Sequence, residues 1–247
     1  MTTIAILADP PRPGVAFDRL AASSVLSADE AAALYRAAFG DVVAAAEACG
    51  GEYLINYRPD DAEDPDGESA VEAELREITT TIADEAVRFE PQVGETFAGR
   101  VGNTATHLLE QEDAGSVAIV DPSAVFLSRS EIDNAAMKLR RHETVLGPTT
   151  DGRVYYAAFT DPIDFADSYD PPAISTLSDR AADADLSVDF LPYLPVVETG
   201  RDLAAAATLV ETRRKAGRIV PQRFAAWLAD ADIAVEHDDD GPRLVRP

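Results

Sequence analysis

Lysine is almost missing from this chain of 247 residues: Lys138 and Lys215 are the only two, and arginine supplies the rest of the 21 basic side chains. There is one cysteine, Cys49, so neither a disulfide framework nor a cysteine-based zinc site can form. The three histidines, His107, His142 and His237, are far apart, and no pair has the spacing of helical metal ligands. No stretch approaches the ~18 consecutive apolar residues of a membrane-spanning helix. The N-terminus lacks the basic region of a signal peptide. The expectation is a cytoplasmic protein without a membrane span.

Carboxylates are what the chain has in excess, with 45 acidic against 21 basic residues and a formal charge of −24. They are spread along the whole length, in a pattern that resembles the proteins of salt-loving archaea. At ~1 M salt the Debye length is only ~3 Å, so self-repulsion largely vanishes. The excess argues against nucleic acid as a partner, because no basic stripe exists to displace counterions. A basic protein partner is the rival reading, and the even spread of the acids counts against it. Apolar residues make up 46% of the chain. A chain of this length buries roughly 70–75% of its unfolded surface, enough for a sizeable core.

Short apolar runs alternate with helical stripes from end to end. Thr2–Ala8 reads as a first buried strand, running into the stiff loop Asp9-Pro10-Pro11-Arg12-Pro13-Gly14. Ser27 and Glu30, Ser69 and Glu72, and Ser128 and Glu131 have capping-box spacing. The first opens a helix that Gly50-Gly51 stops; the second opens a stripe of Val71, Leu75, Ile78, Ile82 and Ala86. Ser116–Val120 is β-branched and apolar and ends on Asp121-Pro122, as a strand buried on both faces would. In an open α/β sheet, ligands collect at strand carboxyl ends, which puts Asp121 where a metal or a sugar phosphate would be met. Equally, Asp121 and Pro122 suit a plain turn. Thr144–Pro148 and Arg153–Phe159 are strands joined by a short turn, so one of them runs antiparallel to its neighbour. The acidic stretch 160–172 forms a solvated rim, and a small hairpin closes the chain around Asp238-Asp239-Asp240-Gly241. The alternation predicts one α/β domain over residues 1–247, three layers around a mostly parallel mixed sheet, with helices and a hairpin appended from about residue 202.

Five groups of residues, in this order, resemble the DUF2064 family, glycosyltransferase-like proteins with a nucleotide-diphospho-sugar transferase (GT-A) fold. They are Pro11-Arg12-Pro13-Gly14 with Arg19-Leu20; Gln92 and Gly94 with Gly99-Arg100; Val120-Asp121; Gly147-Pro148, Asp151-Gly152 and Tyr155-Tyr156; and Glu198-Thr199 with Asp202-Leu203. The resemblance spans Ile4 to about Leu203. It implies a pocket for a nucleotide or nucleotide sugar, with Pro11, Arg12, Gly14, Arg19, Gln92 and Arg100 binding base and phosphates. It implies a divalent cation, Mg²⁺ or Mn²⁺, held by Asp121 and Glu198 to stabilise a diphosphate leaving group. Asp151, with Asp121, is the implied catalytic pair.

The departures are specific. Two positions that carry lysine in the family are Asp9 and Phe17 here, and its threonine is Asp18. The second glycine after Asp151 is Arg153, with one residue extra before the tyrosines, and the closing aspartate is Glu198. Two functions therefore stand side by side: a metal-dependent glycosyl- or nucleotidyltransferase, or a catalytically degenerate nucleotide-binding or protein-interaction module of the same fold. The discriminating feature is whether Arg12, Arg19, Arg100 and Arg153 converge on one pocket.

Overall fold

The structure is a computed structural model; it describes residues 2–60, 69–83, 87–239 and 241–247. Strand β1 (Thr2–Ala8) sits near the middle of a seven-stranded sheet. On one side lie β2 (Tyr53–Tyr57) and then β3 (Arg88–Pro91); on the other lies β4 (Ser116–Val120), all parallel to β1. Beyond β4 come β6 (Val154–Phe159), then β5 (Thr144–Pro148), then β7 (Val188–Phe190). Only β6 runs against the rest, as the short connection from β5 requires.

Alternation along each strand sorts the side chains onto two faces. Ile4 and Ile6 of β1, with Ala118 and Val120 of β4, pack under α2 (Ala28–Glu47), α3 (Ala70–Thr79) and α5 (Arg129–Lys138). Ala5, Leu7, Val117 and Ile119 face the opposite way, onto α4 (Phe97–Glu110) and α6 (Ala173–Asp183). With both faces covered, the strands read as continuous apolar runs. A third cluster lies outside α2, where α1 (Asp18–Ala22), α7 (Gly200–Lys215) and α8 (Gln222–Asp230) bury Leu34 and Ala38 with Leu203 and Phe224. The hairpin β8 (Ala234–Asp238) and β9 (Gly241–Val245) packs there through Leu244.

The three-layer, mostly parallel mixed sheet expected from the sequence is the fold observed. Local chemistry differs in places. Ser27 and Glu30 form a reciprocal capping box, whereas the Ser128 hydroxyl accepts from the Ser130 amide, and Glu131 reaches only the hydroxyl. Helix α3 stops at Thr79, so Ile82 meets the same core from beyond the helix. Ala86, Asp240 and most of the acidic loop 58–68 lie outside the described residues.

The topology fixes where a ligand can sit. The chain passes outward from β1 to β2 and β3, then crosses back to β4 on the other side of β1. A crevice opens at such a switch point, beyond the carboxyl ends of the strands. Asp9 directly follows β1, Arg58 follows β2, Gln92 follows β3 and Asp121 follows β4. Because β6 is reversed, the residue before its start, Arg153, stands at the same edge.

Candidate functional site

A cavity of about 680 Å³ lies at this edge. Asp9, Gln92, Asp121 and Arg153 line it from the sheet, joined by Tyr35 of α2, Thr96 and Arg100 at the start of α4, and Glu198 and Thr199 at the start of α7. Arg19 of α1 and Asp151 reach it from the rim. Thr96 and Thr199 each cap their helix. Two helix N-termini therefore border the cavity, a geometry that favours a negatively charged ligand.

Asp121 begins a tight turn: its Oδ1 accepts from the Ser123 amide at 2.7 Å. Burial and the nearby Glu198 carboxylate push its pKa up to about 6, against the pull of Ser123. Asp121 thus begins a turn and also lines the cavity. Asp9 is raised as well, by burial, with Arg58 and Arg100 opposing. Its carboxylate is 3.0 Å from Arg58, and its amide donates to Tyr35 Oη at 2.6 Å. A cation is therefore held beside the acid that occupies the position of the family's lysine.

Arg153 is the most heavily engaged side chain of the site. Thr150 and Gly152 bound a 3₁₀ turn in which Asp151 and Gly152 both take left-handed angles, φ 58° and 71°. A register shift between Gly147 and Pro148 precedes it. The turn folds the arginine back on itself: Nε donates to Thr150 O at 3.1 Å and Nη2 to Thr150 Oγ1 at 2.7 Å. Nη2 also lies 3.0 Å from both Asp202 oxygens, and Nη1 lies 2.9 Å from Glu198 Oε2. Its side chain is only 12% exposed. These carboxylates raise its pKa, against burial, which lowers it. Asp151 sits 3.7 Å away but is 86% exposed.

Among the described residues, eight buried side-chain polar atoms have no hydrogen-bond partner. Four belong to residues lining this cavity: Arg100 Nε, Ser123 Oγ, Arg153 Nη1 and Tyr169 Oη. Each such group, left unpaired, costs about 1–3 kcal/mol. Arg153 Nη1 is close to Glu198 in distance but its hydrogens are not aligned on the carboxylate. Arg100 donates through Nη1 to Glu95 O at 3.2 Å. Burial lowers its pKa, with Asp9 opposing.

Three of the four arginines converge; Arg12 does not. Its guanidinium turns to α3, bonding Glu74 at 2.9 and 3.0 Å and Asp60 at 2.6 Å. The expectation that Arg12 meets phosphate is corrected by these two carboxylates, which already satisfy it. Pro11 and Gly14 also lie outside the cavity lining. Gln92 lines the cavity, but its amide nitrogen is spent on Asn56 O at 2.7 Å and Ala8 O at 3.4 Å. It ties β1 to β2 and offers only its carbonyl oxygen to a ligand. Arg19 is exposed and touches Glu198 at 3.4 Å. The sequence did not single out Tyr35, Tyr169 or Arg58 for the site; Tyr35 read as part of an apolar helical face, Tyr169 as part of the acidic stretch 160–172, and Arg58 as the start of an acidic loop.

The donor set does not fit the divalent cation expected at Asp121 and Glu198. Mg²⁺ and Mn²⁺ take several hard oxygens. No group of three or more His, Cys, Asp or Glu among the described residues is placed to hold a metal. Glu198 already has Arg153 and Arg19 at its Oε2, and Asp202 is bound to Arg153 and to its own helix cap.

One contact ties the two halves of the rim. Gly200 opens α7 with its amide on Ser23 Oγ at 3.0 Å. A Cβ there would stand 2.3 Å from Ser23 O. Gly200→Ala should therefore push α7 from α1, cost about 1–3 kcal/mol and lower Tm by several degrees. An unchanged melting curve would show that this contact yields freely.

The fold is that of the nucleotide-diphospho-sugar transferases and cytidylyltransferases. A Desulfovibrio desulfuricans G20 protein, provisionally assigned as a nucleotide-diphospho-sugar transferase, superposes with a TM-score of 0.72 and 21% identity, over 93% of this chain and 97% of that one. The 4-diphosphocytidyl-2C-methyl-D-erythritol synthase of Anaerococcus prevotii DSM 20548 superposes with a TM-score of 0.50 and 12% identity, over 85% and 98%. The chain belongs to the DUF2064 family, uncharacterized proteins conserved in bacteria, whose profile matches residues 42–168. No curated protein matches it.

Proposed function

We propose that this protein transfers a glycosyl or nucleotidyl group from a nucleotide-activated donor, and that its arginines replace the phosphate grip of the missing lysines. The observation that carries this reading is the convergence of Arg19, Arg100 and Arg153 on one cavity with Asp121. Either transfer leaves negative charge on a diphosphate or pyrophosphate. Guanidinium groups meet such oxygens in pairs and stay charged throughout. Asp121 keeps one carboxylate oxygen clear of the Ser123 bond and stands at a strand end facing the cavity. It acts as general base toward the acceptor hydroxyl, with a pKa close to the working pH. Asp151, exposed at the rim, orients the acceptor.

Carboxylates outnumber guanidinium groups around the cavity, and Asp18, Asp151, Asp167 and Asp170 form an exposed rim. In dilute buffer that rim opposes an anion. Near 1 M salt it is screened over ~3 Å, while the half-buried Arg100 and Arg153 keep more of their effect than exposed groups do. Nucleotide affinity should therefore rise with salt, opposite to a basic site. The test is a thermal-shift titration with nucleotides and nucleotide sugars in dilute and in molar KCl. A ligand at ~100 times its Kd adds ~2.7 kcal/mol. The expected result is a shift with one nucleotide class, larger in molar KCl and lost in Arg100→Ala. Should no nucleotide shift the transition at either salt concentration, the transferase reading gives way to a protein-interaction module.

A further inference from the structure

We infer that the Arg153 guanidinium is the resident cation of this cavity and that the site holds its diphosphate ligand without a divalent metal. The inference rests on the transferase reading for the ligand but not for the metal. Two acidic positions, Asp121 after β4 and Glu198 before α7, are where a cation would be shared between protein and phosphates. The structure sets a side chain on the second of them, and on Asp202 beside it. Arg153 Nη1 lies 2.9 Å from Glu198, and Nη2 lies 3.0 Å from both oxygens of Asp202.

The placement is built by the backbone. The register shift at Gly147 and Pro148 and the left-handed pair Asp151 and Gly152 turn the chain so that Arg153 enters from the start of β6. Thr150 then holds it through two hydrogen bonds. Arg153 and Arg19 share Glu198 Oε2, so a metal ion at this carboxylate would have two guanidinium groups beside it and only Oε1 to bind. Asp202 closes the capping box of α7 as well as pairing with Arg153. Among the described residues, Asp121 is then the one carboxylate of the three left without a guanidinium partner, so a divalent ion there would draw nearly all its ligands from phosphate and water.

What the guanidinium lacks also matters. Nη1 is buried beside Glu198 with no aligned hydrogen bond, so its N–H groups are not fully spent. Arg100 Nε is unspent in the same cavity. Together they supply fixed positive charge and planar donors where a metal would supply charge alone.

Two measurements on the parent protein test this in molar KCl. Mn²⁺ added to protein alone is followed by electron paramagnetic resonance. Inorganic pyrophosphate is titrated calorimetrically, in EDTA and in excess Mn²⁺. The expected results are free-ion Mn²⁺ spectra up to millimolar protein and a pyrophosphate Kd that changes by less than about threefold between EDTA and Mn²⁺. A bound Mn²⁺ signal that disappears in Glu198→Gln, or a tenfold gain in pyrophosphate affinity from Mn²⁺, overturns the inference. If pyrophosphate binds under neither condition, the transferase reading falls, and the spectra still decide whether the cavity takes a metal. Arg153→Gly, if folded, should acquire a Mn²⁺ signal; a folded variant with none argues that the carboxylates never formed a cation site.

Discussion

Arg153→Ala is expected to lower the unfolding free energy by about 3–5 kcal/mol, the usual consequence of removing one partner from a buried ion pair. For a chain of this size that is a fall in Tm of roughly 10 °C or more. The reason is what the substitution leaves behind. Asp202 is buried and held below its ordinary pKa by Arg153, Thr199 and Thr150, against burial, which raises it. Without the guanidinium, buried Asp202 loses its cationic partner and Glu198 keeps only the exposed Arg19. A carboxyl with a lowered folded pKa contributes stability above its unfolded pKa of about 4, and loses it as pH falls further. The gap between parent and variant should therefore narrow below about pH 4. Arg153→Lys should recover only part of the loss, because an ammonium cannot bond Thr150, Asp202 and Glu198 at once. Equal melting temperatures for parent and Arg153→Ala at pH 7.5 would refute the account.

Asp121→Asn should move stability and activity in opposite directions. The folded pKa of Asp121 is raised to about 6, against about 3.9 for an unfolded aspartate. The native state then binds the proton more tightly than the unfolded state. Stability falls as pH rises from about 4 to about 6, and the full penalty, about 3 kcal/mol at most, is present above that. Asparagine removes the charge and keeps an oxygen for the Ser123 amide. The variant should melt higher than the parent at pH 7.5, with the gain gone near pH 4. Group transfer should meanwhile drop by about 10²–10⁴, the ordinary contribution of a positioned base. The parent rate should lose activity as pH falls through 6. A variant that gains stability at every pH equally, or that transfers at the parent rate, would separate the stability cost from catalysis and remove Asp121 as the base.

Much of the fold was legible because burial on both faces leaves a plain signature. The runs at Thr2–Ala8 and Ser116–Val120 are apolar and β-branched, and the strands form there. Asp121 could be placed at a strand end for the same reason. The reversed β6 followed from the short turn before it. The wiring of charged groups was not legible. Arg12 has the right neighbours in sequence, but Glu74 and Asp60 lie 62 and 48 residues away and reach it first. Arg153 stood out as a departure from the family's pattern. That it would fold back onto Thr150 and pair with Asp202, 49 residues on, depends on a left-handed turn that sequence spacing does not encode. Gly200 carried no signal of its approach to Ser23, because closeness of two backbones leaves no trace beyond the glycine itself.

The central position of β1 has a consequence for how the chain is made. Synthesis delivers β1 first, yet Thr2 meets Ser116 of β4 across 114 residues. At ~5–20 residues per second the first strand waits on the order of ten seconds for its second neighbour. Helix α2 waits longer. Its buried Asp41 accepts from the amides of Arg223 and Phe224 at 3.0 and 2.8 Å, and the cluster that holds Leu34 and Ala38 is completed by segments from Val197 onward. Arg153 and Glu198 also come from the later half. A nascent chain halted before residue 222 therefore carries an exposed apolar flank and lacks the amides that Asp41 accepts from, and the last core cluster forms only once residues beyond 222 are made.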